Sequence, residues 1–312
     1  MTAAPDDDEG SAPAEAFSRL ANETRVAILR ALGECGERDP RRMPYRPFDT
    51  DDPEGLSYSE LRARADVRDS GRFNYHLGEL VGHFVEQSGD TYRLSWLGVL
   101  AFRFVVAGVL HDQVTVDPFE TDSVCGECNS PLEASYPRGR LFFLDCSGCG
   151  CRVVGVDLPA HAVRNRSREE LLRVVDRRER GQISLLRDGI CYWCAGRVDG
   201  AVHRQGTGEE VRRTQPVVTL LCQDCGGLRF PTVGAVVATD PRVAAFLQEH
   251  SAADSDVDDR YLWEWPFTTA SDAVTVLSTD PLAVRVDIEA DDGARLSATV
   301  DDSGTVTDVD SR

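Results

Sequence analysis

The chain has 312 residues, enough for two or three domains. Its 53 acidic residues outnumber 34 basic ones, giving a net charge of −19, and every basic residue is arginine because lysine is absent. No apolar run reaches the roughly 18 residues of a membrane span, and Asp6, Asp7, Asp8 and Glu9 make the start of the chain the opposite of a basic signal peptide. A cytoplasmic chain with no membrane partner is predicted, and there ten cysteines serve as metal ligands or free thiols rather than disulfides.

The acidity reads as surface solvation rather than as a docking charge, but it is uneven. Residues 14–110 hold 13 Arg against 15 acidic residues, 161–235 hold 13 against nine, and 236–312 hold five against 17. The first two segments have a balance that permits approach to phosphate. Residues 1–13 read as a disordered acidic tail.

From Glu15, Phe17, Leu20, Val26, Ile28, Leu29 and Leu32 recur near helical spacing, with Asn22 as an internal cap. Gly33 and Gly36 end this unit, and the proline-rich stretch Arg38 to Glu54 reads as an exposed insertion. Ser57 and Glu60 have capping-box spacing for a helix from Tyr58 to Ala65. Asp69 or Ser70 caps a further helix to about Val81, on which Phe73, Leu77 and Leu80 form the inward stripe. Its other face carries Ser70, Arg72, Asn74 and Tyr75, with His76 close by, all groups able to donate to base edges or phosphates. Phe84–Gln87, a Ser88-Gly89-Asp90 turn and Thr91–Leu94, with Arg93, read as a hairpin. Two helices, a recognition helix and a wing follow the order of a winged helix-turn-helix over residues 14–112. The apolar segment Ser95 to Leu110 is hydrophobic nearly all round, so burial on more than one side is expected.

Two runs carry a resemblance. Ala21-Asn22-Glu23-Thr24-Arg25-Val26-Ala27-Ile28-Leu29-Arg30 resembles the opening helix of ArsR-type regulators. Arg68-Asp69-Ser70-Gly71-Arg72-Phe73-Asn74-Tyr75-His76-Leu77 is similar to the recognition-helix signature of haloarchaeal members of that superfamily, and acid-rich, lysine-free composition resembles that of haloarchaeal proteins. The resemblance implies a DNA-binding transcriptional regulator, not an enzyme, that forms a homodimer through the helix at 95–110 on double-stranded DNA. ArsR-type metal sensors place paired cysteines in or before the recognition helix. None occurs there, which argues against metal sensing at that position; Cys35 lies in the first unit and reads as a small buried hydrophobe.

Cys125-Gly-Glu-Cys128 is followed after 17 residues by Cys146-Ser-Gly-Cys149, the spacing of a four-thiolate zinc site. Cys191-Tyr-Trp-Cys194 and Cys222-Gln-Asp-Cys225 repeat the pattern over 27 residues. Asn129, Gly150, Gly196 and Gly226 follow the four pairs closely and let the chain turn tightly around a metal. Sequential pairing leaves Cys151 as a spare thiol, although it lies close enough to replace Cys149. His161 and His203 are not required. Two structural Zn²⁺ ions are expected, since four thiolates leave no position for water, and the zinc ribbons are a possible surface for a protein partner.

The expected fold class is α+β multidomain: winged helix-turn-helix (14–112), zinc ribbon 1 (118–158), a helical connector capped by Ser167 (159–189), zinc ribbon 2 (190–238) and a C-terminal α+β module (239–312). The module holds a helix from Pro241 to His250 and four strands between Val274 and Val309, with acidic turns at 291–302 read as solvating. The competing reading is a zinc-ribbon interaction adaptor of the transcription machinery that does not read DNA sequence.

Overall fold

The computed structural model describes residues 11–34, 55–108, 114–137, 141–164, 166–204, 215–250 and 260–311. Residues 1–10 of the acidic tail, Cys35, Gly36, the whole Arg38 to Glu54 insertion, Val109 and Leu110 lie outside them. The fold is mixed α/β with four antiparallel sheets among the described residues, and the chain divides into two compact units, residues 1–112 and 113–312. None of the described helices is long and apolar enough to cross a membrane.

In the first unit the helices are α1 (Ser11–Leu20), α2 (Glu23–Gly33), α3 (Tyr58–Arg64), α4 (Ser70–Leu80) and α5 (Trp96–Ala107). The strands β1 (Leu56–Ser57), β2 (Val85–Ser88) and β3 (Thr91–Leu94) form one sheet in the order β1-β3-β2. Asn22 separates α1 from α2 because its side-chain oxygen accepts the Thr24 and Arg25 amides at 3.0 and 3.4 Å, satisfying donors that a helix start leaves orphaned. Ser57 and Glu60 make the reciprocal capping box, and Asp69 caps α4 through the Gly71 and Arg72 amides. Ile28 and Leu29 of α2, Leu61 of α3 and Phe73, Leu77 and Leu80 of α4 close one buried core with Phe84 and Val85. On α5 only Gly98, Val99 and Ala101 are buried, while Trp96, Leu97 and Phe104 are exposed. The expected burial on several sides is therefore not met within this unit.

The second unit opens with a four-stranded meander, β4 (Val116–Val124), β5 (Pro131–Tyr136), β6 (Leu141–Cys146) and β7 (Arg152–Asp157). The short α6 (Ala160–Val163) leads into α7 (Arg168–Arg187), which Ser167 and Glu170 start with a second capping box. Then come β8 (Val198–His203), β9 (Val217–Cys222) and β10 (Leu228–Arg229), a sheet ordered β10-β9-β8. After α8 (Val233–Ala238), α9 (Pro241–Glu249) and α10 (Pro266–Thr269), a last meander runs through β11 (Val274–Thr279), β12 (Leu282–Glu289), β13 (Arg295–Val300) and β14 (Val306–Ser311).

The segments expected as separate domains from 118 onward form one body. The first meander packs on Leu171, Leu172 and Val175 of α7 and on Trp263. A second core joins Ile183 and Leu186 of α7, Val218 and Leu220 of β9, the apolar α8, and Val284, Val286, Ala298 and Val300 of the last meander. Ribbon 2 and the C-terminal module therefore share a core instead of each building a small one. The Val202 amide donating to the Asp302 carbonyl at 2.8 Å ties their edges. The acidic turns cap themselves: Asp301 accepts from the Ser303 and Thr305 amides, and Asp292 from the Ala294 amide.

Candidate functional site

Each Cys pair sits at a strand end, in a turn built the same way four times. The amide of the first Cys donates to the carbonyl five residues on: Cys125 to Ser130, Cys146 to Cys151, Cys191 to Gly196 and Cys222 to Gly227. The amide four residues on donates back to the first Cys carbonyl, from Asn129, Gly150, Ala195 and Gly226, and all eight bonds span 2.8 to 3.1 Å. Those four residues are left-handed, with φ of 58°, 70°, 58° and 69°. A left-handed residue after the second Cys lets the chain reverse around a point toward which both sulfurs face. In the third turn that residue is Ala195, not Gly196 as its composition suggested. Gly196 is small for another reason: a Cβ there would sit 2.2 Å from a carboxylate oxygen of Asp224, which accepts the Arg197 amide.

The sulfurs gather into two clusters that could hold metal ions. In one, Cys191, Cys194, Cys222 and Cys225 lie within 4.8 Å of one another, as the sequence predicts. In the other, the mutually close set is Cys125, Cys146, Cys149 and Cys151. Here the expectation of a spare Cys151 needs correcting. Its sulfur is 3.6 Å from that of Cys125, because the Cys146–Cys151 backbone bond brings it across the turn. Cys128 falls outside the close set, yet its sulfur is 3.3 Å from Cys146. Neither His161 nor His203 joins a cluster. Hydrogen bonds from Ser130 hold the Cys128 thiol down to about 6, while burial pushes Cys146 up to about 12 and Cys151 higher still. Amides of the turn, from Cys225 first, hold Cys222 down to about 7. In the second cluster Cys194 is pushed up to about 12 and Cys225 is also raised, so one thiol in each cluster, Cys128 and Cys222, is held toward thiolate, the form that binds metal.

The two clusters are fixed from outside. Glu127, inside the first turn, accepts the Ser271 amide and hydroxyl, both at 2.9 Å. Beyond the second cluster, Tyr192 donates to Asp157 at 3.1 Å, which also takes Arg178 and Gln182.

In the first unit, Ser70, Arg72, Asn74 and Tyr75 all lie exposed on α4, opposite Phe73, Leu77 and Leu80. Arg72 reaches Glu23 at 3.0 Å, and Arg93 pairs with Glu86 across the β2–β3 hairpin at 3.0 Å. His76 departs from this face. It is half-buried, its Nδ1 accepts from Arg25 Nε at 3.3 Å, and burial, with Arg25 and Arg72 nearby, holds it below the usual histidine range. The same Arg25 bonds Glu79 and the Ser18 and Arg19 carbonyls, so His76 belongs to the packing between α2 and α4. Arg64 and Arg68, which are not among the expected DNA-contacting residues, are exposed on the approach to α4.

No curated protein and no solved structure matches the chain. Residues 13–105 match a domain of unknown function, DUF7347. Residues 122–306, more than half of the chain and both cysteine clusters, match the domain of unknown function DUF7351, and the chain belongs to that family.

Proposed function

We propose that the chain is a DNA-binding transcriptional regulator of the ArsR-like winged helix type, with two structural zinc ions in its second unit. The observation that carries this reading is the outward face of α4, where Ser70, Arg72, Asn74 and Tyr75 are exposed together on a helix anchored by Phe73, Leu77 and Leu80. Arg suits guanine, Asn suits adenine, and the hydroxyls suit bases or phosphates. The order α2, α3, α4 and the β2–β3 hairpin supports a helix-turn-helix with a wing carrying Arg93. Arg64 and Arg68 add charge for phosphate at the start of α4. The exposed Trp96, Leu97 and Phe104 of α5 give a homodimer its interface, and a two-fold protein suits a palindromic operator.

Each cysteine cluster offers four thiols at one point, the donor set of a closed structural zinc site rather than a catalytic one. Cys191, Cys194, Cys222 and Cys225 hold the second ion; Cys125, Cys146 and Cys149 are common to both ways of filling the first. Zinc there supplies cross-linking between strand ends.

The test is a gel shift in concentrated salt with the chain's own promoter against a scrambled duplex of equal length. The reading expects sequence preference that Arg72→Ala and Asn74→Ala abolish while the fold is retained. Equal binding to both duplexes would remove it.

A second reading, the interaction adaptor, draws on Ile190, Trp193, Leu221 and Leu228, exposed around the second cluster, the two leucines facing each other across β9 and β10. Exposed aromatic and aliphatic groups of this kind suit a protein contact. A pull-down lost on Trp193→Ser, with promoter preference absent, would favour it.

A further inference from the structure

The first cluster contains five thiols, and a closed tetrahedral shell takes four. Repetition of the turn shows which thiol is additional. In all four turns the first and fourth positions are cysteine, which would make Cys125, Cys128, Cys146 and Cys149 the ligands. The sixth position is Ser130, Cys151, Gly196 and Gly227. At Gly196 that position faces Asp224, but in the fourth turn, the counterpart of the second, it faces the cluster: a Cβ at Gly227 would lie 3.3 and 3.7 Å from the sulfurs of Cys225 and Cys191. A thiol placed there reaches the metal position, and only the first cluster has one.

The two contenders differ in access. Cys128 is exposed, whereas Cys151 is 5 % exposed with its sulfur against Cys125 and Cys149 belongs to the same close set. We propose that the first centre has a reserve ligand: Cys125, Cys146 and Cys149 hold the metal throughout, and Cys128 and Cys151 exchange at the fourth position. When Cys151 enters, its thiol gives up a proton as the sulfur bonds the metal. The departing Cys128 thiolate takes one up, so the charge of the centre is unchanged. Cys128 then stands at the surface as a modifiable thiol without loss of the ion. The second centre, with Gly227 in the equivalent place, has no such substitute. This inference rests on the two-zinc reading above.

The test compares zinc per chain, after a fixed challenge with a chelator, in the full chain and in Cys128→Ser, Cys151→Ser, Cys128→Ser/Cys151→Ser and Cys194→Ser. Two ions are expected in wild type and in both single variants of the first centre, and one in the double variant and in Cys194→Ser. Cobalt(II) loading gives a second readout: sulfur-to-cobalt absorption in Cys128→Ser should keep the wild-type intensity of two four-thiolate centres, and the double variant should fall to that of the second centre alone. Loss of one zinc in Cys128→Ser equal to that in Cys194→Ser would overturn the reserve role. So would unchanged zinc and cobalt spectra in the double variant. Fewer than two zinc ions in wild type would instead overturn the two-zinc reading itself.

Discussion

Arg72, on the outward face of α4, is held at 3.0 Å by Glu23 at the start of α2, and both side chains are at least half exposed. An exposed pair of this kind is worth only about 0.2–1 kcal/mol, so phosphate or guanine can displace the carboxylate. On the proposed DNA-binding reading, Glu23 is an internal competitor that positions Arg72 for its contact. Glu23→Gln should raise operator affinity about 1.5- to 5-fold, the worth of the released pair. Arg72→Ala should lower it about 5- to 150-fold, the worth of one bidentate base contact. Titration at fixed salt measures both; weaker binding by Glu23→Gln would contradict the competitor role.

Arg229 on β10 pairs with Glu179 on α7 and donates to the Gly155 carbonyl on β7 at 2.6 Å, with both charged side chains under a tenth exposed. One residue thus links two sheets and the helix between them. Removing one partner strands the other charge in a dry site, so Arg229→Met should cost about 3–5 kcal/mol. Arg229→Met/Glu179→Leu should recover much of that, because replacing a whole buried pair with apolar groups is often close to neutral. Urea midpoints of the metal-loaded chains decide it: a double variant no better than the single one would mean that the apolar pair does not fill the site.

What could be read in the sequence was what local spacing determines. Asn22, Ser57 with Glu60, and Ser167 with Glu170 cap helices because a cap needs only residues two or three apart. The Phe73, Leu77 and Leu80 stripe follows from one helix's periodicity, and the second cysteine cluster from its spacing. What could not be read depends on contacts between distant residues. His76 turns to Arg25, 51 positions earlier, which a helical wheel of α4 does not contain. Cys151 reaches Cys125 only because its backbone bond to Cys146 closes the second turn while the β5–β6 pairing sets that turn beside the first. The joint core of β9, α8 and the last meander likewise depends on residues as distant in the chain as Val218 and Val300, so composition divided what packing unites.

His76 gives the first unit a pH dependence with a definite sign. Its folded-state value is held below the ordinary 6.5, chiefly by burial, and its Nδ1 must stay unprotonated to accept from Arg25. Between the lowered value and 6.5 the unfolded chain binds more protons, so stability rises with pH across that window. The contribution is complete above the ordinary histidine value and is lost as pH falls through the folded one. His76→Gln, which keeps an acceptor for Arg25, should flatten this part of the stability profile. Identical slopes for wild type and His76→Gln between about pH 5 and 7.5, a window that brackets the ordinary histidine value, would show that the histidine is not responsible.

Ala195 occupies the left-handed position of the third turn, which Asn129, Gly150 and Gly226 fill in the others. A Cβ in that conformation crowds the following carbonyl and costs roughly 1–2 kcal/mol, which glycine avoids. Glycine also loses more freedom on folding, returning up to about 1 kcal/mol of that gain. Ala195→Gly should therefore stabilise the second centre by about 0.5–1 kcal/mol, the balance of these two effects. The reverse exchange at Gly226, from Gly to Ala, should destabilise it. Zinc release to a chelator reads the local effect: slower loss from Ala195→Gly and faster loss from Gly226→Ala are expected. Faster loss from Ala195→Gly would mean that the alanine methyl makes a packing contact worth more than the strain it imposes.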